Sequence, residues 1–118
     1  MFGCKEFHVS CSKVGIKPII GVEAYVAVRG HKVKENKADG RGNHLVLLAK
    51  NKVGYKNLLK LTSIAHIDGM YYKPRIDKEL LEQYKEGLIV SSACLGGEIS
   101  QHIMNGNLKK AEETVKWF

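Results

Sequence analysis

Apolar residues follow two rhythms along this chain, one suited to strands and one to helices. Between residues 19 and 28 they run almost unbroken, IIGVEAYVAV, as in a strand covered on both faces. Alternation divides that run into two sides. Ile20, Val22, Ala24, Val26 and Val28 form an aliphatic side, and Gly21, Glu23, Tyr25 and Ala27 form a smaller, more polar one. Helices are expected over the first side, and the second could line a cavity. HLVLLAK (44–50) and LIVSSAC (88–94) are two further strand candidates.

Helical spacing governs most of the remainder. Residues 3–14 place Phe7, Cys11 and Val14 on one stripe, with Gly15 as a C-cap and Pro18 preventing continuation. Residues 52–67 carry Tyr55, Leu58, Leu59, Leu61 and Ile64 at helical intervals. Asp77 is placed to cap the short helix KELLEQY, and Gly87 follows its end. Gly96-Gly97 turns the chain into EISQHIMN, Asn105-Gly106 breaks that helix, and LKKAEETVKWF forms the last one.

Two segments lack either rhythm. Residues 29–43, RGHKVKENKADGRGN, read as a mobile basic loop, and 69–77, GMYYKPRID, as an extended or turn connection pinned by Pro74. The order is α-β-loop-β-α-α-β-α-α, which predicts an α/β fold with a mostly parallel sheet or barrel. The chain opens in a helix with no strand before it and closes inside another, as expected of an incomplete domain.

Composition narrows the class. The 118 residues suffice for one modest domain with a real core. No apolar run approaches the ~20 residues of a membrane span. MFGCKEF lacks a signal-peptide layout, so a cytoplasmic location is expected. Three cysteines, Cys4, Cys11 and Cys94, are too few for a disulfide framework and read as reduced thiols. The net charge of +7 favours polyanionic partners. Arg29, Lys32, Lys34, Lys37 and Arg41 concentrate part of it in the loop, as a nucleic-acid contact or simply a solvated patch.

Glu23, His44 and Cys94 are the candidates for chemistry on or beside the strands. Carboxylate, imidazole and thiolate all suit zinc or a similar borderline metal. A cation would also satisfy Glu23, whose burial in an apolar strand would otherwise be costly. The spacing matches no compact zinc finger, so the fold must bring the three together. Each has a plain alternative: Glu23 paired with a lysine or solvated at a strand edge, His44 on the surface, Cys94 a small buried hydrophobe. His8, His31, His66, His102, Cys4 and Cys11 read as structural. Lys73 and Arg75 flank Pro74 with Tyr71 and Tyr72 alongside, a grouping suited to phosphate and stacking, or else to an Arg75–Asp77 pair at a helix start.

Four colinear blocks carry a resemblance: IKPIIGVEAYVA, HLVLLAKNKVGYKNLLKL, YYKPRIDKELLE and EGLIVSSACLGGEI. Together they resemble the PHP (polymerase and histidinol phosphatase) domain at the N-terminus of bacterial replicative DNA polymerase III alpha subunits, over nearly the whole chain. The opening MFG is similar to the tail of that family's Asp-His-Gly-x-Met-x-Gly motif.

The resemblance implies a partial, distorted (β/α)7 barrel and a divalent-metal cluster, with zinc expected and manganese or magnesium as alternatives. It carries Glu23, His44 and Cys94 over as ligands, three of about nine in the family. It implies a DNA-directed DNA polymerase, a nucleotidyltransferase, as the parent. The PHP domain would then be a metal-dependent 3′–5′ exonuclease or phosphoesterase, or a non-catalytic scaffold that stabilises the polymerase or docks a proofreading subunit. A stand-alone PHP phosphoesterase is a further reading. Expected partners are DNA, a proofreading exonuclease and a sliding clamp, with no membrane. Barrel sites usually gather residues from the C-terminal ends of strands. Cys94 and Glu23 suit that rule, whereas His44 opens its strand.

Overall fold

The strand that carries Glu23 is the pivot of the architecture. In the computed structural model, which describes all 118 residues, it is β1 (Gly21–Val26), preceded by α1 (Cys4–Lys13). Then follow β2 (Asn43–Ala49), α2 (Lys52–Ile67), β3 (Met70–Tyr71), β4 (Lys73–Ile76), α3 (Lys78–Tyr84), β5 (Leu88–Ser92), α4 (Glu98–Met104) and α5 (Leu108–Trp117). The strands form one mixed sheet in the order β3-β4-β1-β2-β5.

The expectation of a mostly parallel sheet is overturned. Only β1 and β4 pair in parallel, through Tyr25↔Arg75 and Val26↔Ile76. The β1–β2, β2–β5 and β3–β4 pairs are antiparallel. The cause is the connection between β1 and β2, which contains no helix. A parallel neighbour needs a crossover, usually helical, whereas a loop that turns straight back delivers an antiparallel one.

Strand parity assigned the faces correctly. Val22, Ala24 and Val26 of β1 share a core with Leu45 and Leu47 of β2, and α2 and α3 cover that side with Leu58, Leu61, Ala65, Leu80 and Leu81. Leu47, Leu58 and Leu61 are fully buried, each worth about 1.5–3 kcal/mol relative to exposure. Val28 lies past the strand end and is exposed, so the aliphatic side stops at Val26. α2 spans the expected residues and is capped by the Asn51 side chain, which accepts from the Gly54 N–H. The stripe expected on α1 finds no cover within the chain, since Phe7 and Val14 are exposed and no α1 residue is buried.

Residues 29–43 are tied down at several points. Arg29 donates to both Asp39 and Glu35, and Asp39 also accepts from the Glu35 and Asn36 N–H groups. His31, Asp39 and Gly40 are buried. Among the basic residues of this loop Arg29 takes part in these ties, while Lys32, Lys34, Lys37 and Arg41 are exposed. Beside it, the segment read as an extended connection forms the small β3–β4 hairpin. Tyr72 takes the left-handed conformation at its tip, with φ 59°.

Candidate metal centre

Each of the three predicted ligands reaches the site by a different local rule. Glu23 lies mid-strand on the open face of β1, the parity opposite to the core. His44, the second residue of β2, stands opposite Tyr25 and therefore shares the Glu23 face. Cys94 lies just past the end of β5, whose Ser92 pairs with Leu45. Because β2 runs antiparallel to both neighbours, its start adjoins the ends of β1 and β5. This explains why a histidine that opens its strand belongs at a site otherwise formed near strand ends.

The three donor atoms lie within 4.8 Å of one another. A Glu23 carboxylate oxygen is 2.7 Å from His44 Nδ1, and Cys94 Sγ is 3.3 Å from the same nitrogen. Two groups able to carry negative charge thus converge on one ring nitrogen, which has a single proton to offer. A shared cation relieves that competition, because carboxylate, imidazole lone pair and thiolate can all point at one positive charge. Ligands on a tetrahedral zinc lie roughly 3.4–3.6 Å apart, as follows from bonds of about 2.0–2.3 Å. The His44–Cys94 separation is close to that, and the Glu23–His44 pair needs only a small side-chain spread. The donor set therefore fits a zinc-type ion.

The surroundings hold the imidazole in place. The His44 backbone N–H donates to the Gly96 carbonyl at 3.0 Å, and the Gly96 N–H lies 3.4 Å from Cys94 Sγ. A side chain at Gly96 would come within 3.3 Å of the His44 ring. Tyr25 packs edge-on against the ring at 5.1 Å, and Lys73 Nζ sits 5.4 Å over Tyr25. In the sequence Tyr25 was read only as part of the face that could line a cavity and Gly96 only as part of a turn, and neither was linked to His44. Parity with Glu23 and proximity to Cys94 were the available signals. Glu23 is not the buried carboxylate that its apolar neighbours suggest, because its side chain is 54% exposed and that of His44 31%.

A profile of the PHP domain matches residues 1–118, the whole chain. The chain belongs to the PHP domain family. It is 50% identical over its full length to the DNA polymerase III subunit alpha of Borreliella burgdorferi. The corresponding protein of Treponema pallidum is 49% identical over 98% of the chain, and that of Aquifex aeolicus 48% over all of it. The chain spans about one tenth of the length of these curated relatives, 10%, 10% and 11% in turn. No helix is long and apolar enough to cross a membrane.

In this PHP chain the other predicted contact, Arg75, has a different duty. It is 0% exposed, so it presents no donor to a phosphate. Its Nε donates to the Gly69 carbonyl at 3.1 Å, Nη1 to that of Asp39 at 2.5 Å and Nη2 to that of His31 at 2.8 Å. The guanidinium joins the 29–43 loop to the β3–β4 hairpin. It does not pair with Asp77 either, because Asp77 is engaged by His31. Lys73, by contrast, remains exposed beside Tyr25.

Proposed function

We propose that this chain is part of the PHP domain of a DNA polymerase III alpha subunit, and that Glu23, His44 and Cys94 contribute to a divalent-metal site within a distorted barrel. The observation that carries the reading is the convergence of three ligand-type side chains within 4.8 Å, two from strands β1 and β2 and one from the turn after β5. The relatives supply the context, with about half of the aligned positions identical across nearly the whole chain. The parent protein would be a DNA-directed DNA polymerase acting in the bacterial cytoplasm, together with a proofreading exonuclease and a sliding clamp.

Glu23, His44 and Cys94 would hold the ion, zinc being the best match to a mixed N, O and S donor set, with manganese or magnesium as alternatives. When bound, such an ion supplies Lewis acidity toward a phosphate ester. Gly96 and Tyr25 fix the imidazole plane, and the exposed Lys73 could meet a phosphate at the rim. This supports a 3′–5′ exonuclease or phosphoesterase role.

A scaffold role, stabilising the polymerase or docking a proofreading subunit, is the second reading. It is favoured by the open setting of the three residues, for the roughly 590 Å³ cleft of the molecule lies elsewhere. Metal analysis and nuclease assays on the polymerase-length protein carrying this chain separate the readings. Cys94→Ser should lower both metal content and nuclease activity if the site is catalytic, and metal content alone if it is a scaffold. Unchanged metal content overturns the site. For the isolated chain, weak metal binding is expected, because further ligands complete the family's cluster. Tight stoichiometric zinc in the 118-residue protein would overturn that expectation.

A further inference from the structure

Four lysines free of carboxylate partners gather around one cleft away from the candidate metal centre. A cleft of about 590 Å³ opens between α1, the segment leading into β1, the end of β2 and the first turn of α2. Lys5 and His8 reach it from α1, Lys17 from the connection, Lys50 from the β2–α2 turn and Lys52 from the start of α2. All five are exposed. None of the four lysines has a carboxylate within ion-pair distance, and no acidic residue lines the cleft. Arg29, in the loop that looked most basic by sequence, is by contrast neutralised by Glu35 and Asp39.

Four like charges facing one concavity repel one another, and its apolar walls, Val9, Pro18, Ile20 and Ala49, raise their mutual field. An anion relieves that repulsion. The cations are lysines, point charges without the planar fork that reads a base edge or clasps a single carboxylate. They also arise from three separate stretches of chain, α1, the connection to β1 and the Lys50–Lys52 turn, which suits a run of phosphates better than one. Tyr55 lines the same cleft and is exposed, offering a ring on which a base can stack.

We propose that this lysine-lined cleft binds the phosphodiester backbone of single-stranded nucleic acid without sequence preference. It lies apart from Glu23, His44 and Cys94, and it stands whether or not those residues hold a metal.

The test is fluorescence anisotropy of a labelled oligothymidylate with the purified protein across a salt series. Four phosphate contacts on a single strand predict a log–log salt slope of about −2.8, or roughly a fifty-fold loss of affinity between about 50 and 200 mM salt. Replacing Lys5, Lys17, Lys50 and Lys52 together with Gln should abolish most binding and flatten the slope, whereas the fourfold Lys→Arg variant should retain both. Lys34→Gln with Lys37→Gln, in the braced loop, should change little. A Lys→Gln variant that binds like the parent, or a slope carried by the loop lysines, overturns the proposal. Equal competition by inorganic triphosphate at matched phosphate concentration would reassign the cleft to a free polyphosphate and overturn the backbone assignment.

Discussion

One carboxylate oxygen of Asp77 accepts two hydrogen bonds from His31, the backbone N–H at 2.8 Å and ring Nδ1 at 2.5 Å. Its other oxygen caps α3 by accepting from the Leu80 N–H at 3.0 Å. Asp77 thus joins the β1–β2 loop to the start of a core helix. Burial alone would push its carboxyl up, but the Leu80 N–H and the His31 ring and N–H outweigh this, and the net shift is downward. A carboxyl depressed in the folded state stabilises above its unfolded value, about 4, and that contribution is lost as pH falls through the lower folded value. Asp77→Asn keeps an acceptor for the cap but turns an N–H toward the His31 donors. We expect it to cost about 1–2 kcal/mol near neutrality and to lose less stability than the parent on going into acid. Urea midpoints across that pH range check both, and an unchanged acid limb would refute the linkage.

Arg75 predicts a loss of stability, with no phosphate contact involved. Arg75→Met fills similar space but strands the Gly69, Asp39 and His31 carbonyls. Hydrogen bonds from a charged donor contribute about 1.5–3 kcal/mol each, so a loss of about 3 kcal/mol or more is expected after partial relaxation. Arg75→Lys should recover only part, since one ammonium cannot span three carbonyls held by a planar fork. Chemical denaturation measures both, and a loss below about 1 kcal/mol would show the carbonyls re-satisfied by water.

These two residues also mark where the sequence stopped being readable. Leu58, Leu61 and their neighbours announced α2 because helical spacing is a local property, and Glu23 was placed on its face by simple alternation. Asp77 was recognisable as a cap, since capping involves only the next few residues. Its bond to His31 was not, because the partner lies 46 positions away in a charged loop. Arg75 looked like a phosphate ligand because its true acceptors are backbone carbonyls, which no residue type advertises. Sheet direction was lost for a related reason, as nothing in residues 29–43 states that the chain turns straight back. Glu23, His44 and Cys94 were legible as donor types, but their meeting depends on that antiparallel return.

The glycine beside the candidate metal centre gives a prediction that separates site from fold. A Cβ at Gly96 would lie 3.3 Å from both Cγ and Nδ1 of His44, closer than an ordinary contact. Gly96 is not in the left-handed region, so Gly96→Ala adds no backbone strain. The ring must yield by a few tenths of an ångström, which alters its spacing to Cys94 and Glu23. Stability should change by less than about 1 kcal/mol, while zinc affinity of the polymerase-length protein should fall several-fold. Competition with a chromophoric chelator reads the affinity, and an unaltered value would show that ring placement does not limit binding.

Gly54 tests how the helix layer sets the position of β5. By helix propensity alone, Gly54→Ala should stabilise α2 by about 1 kcal/mol. The structure opposes this, because a Cβ there would overlap the backbone carbonyl of Gly87, the residue just before β5. That carbonyl is already fixed by the Lys50 N–H at 2.9 Å, and Asn51 closes the same contact by capping Gly54. Backbone cannot rotate aside as a side chain would, so the overpacking cost, about 1–3 kcal/mol and at the upper end here, should exceed the propensity gain. A net loss of about 1–2 kcal/mol in urea denaturation is expected. Any shift of β5 away from α2 travels along the strand toward Cys94, so metal content should fall with it. A Gly54→Ala protein as stable as the parent would mean that the Gly87 turn moves freely and that β5 is positioned by its pairing with β2 alone.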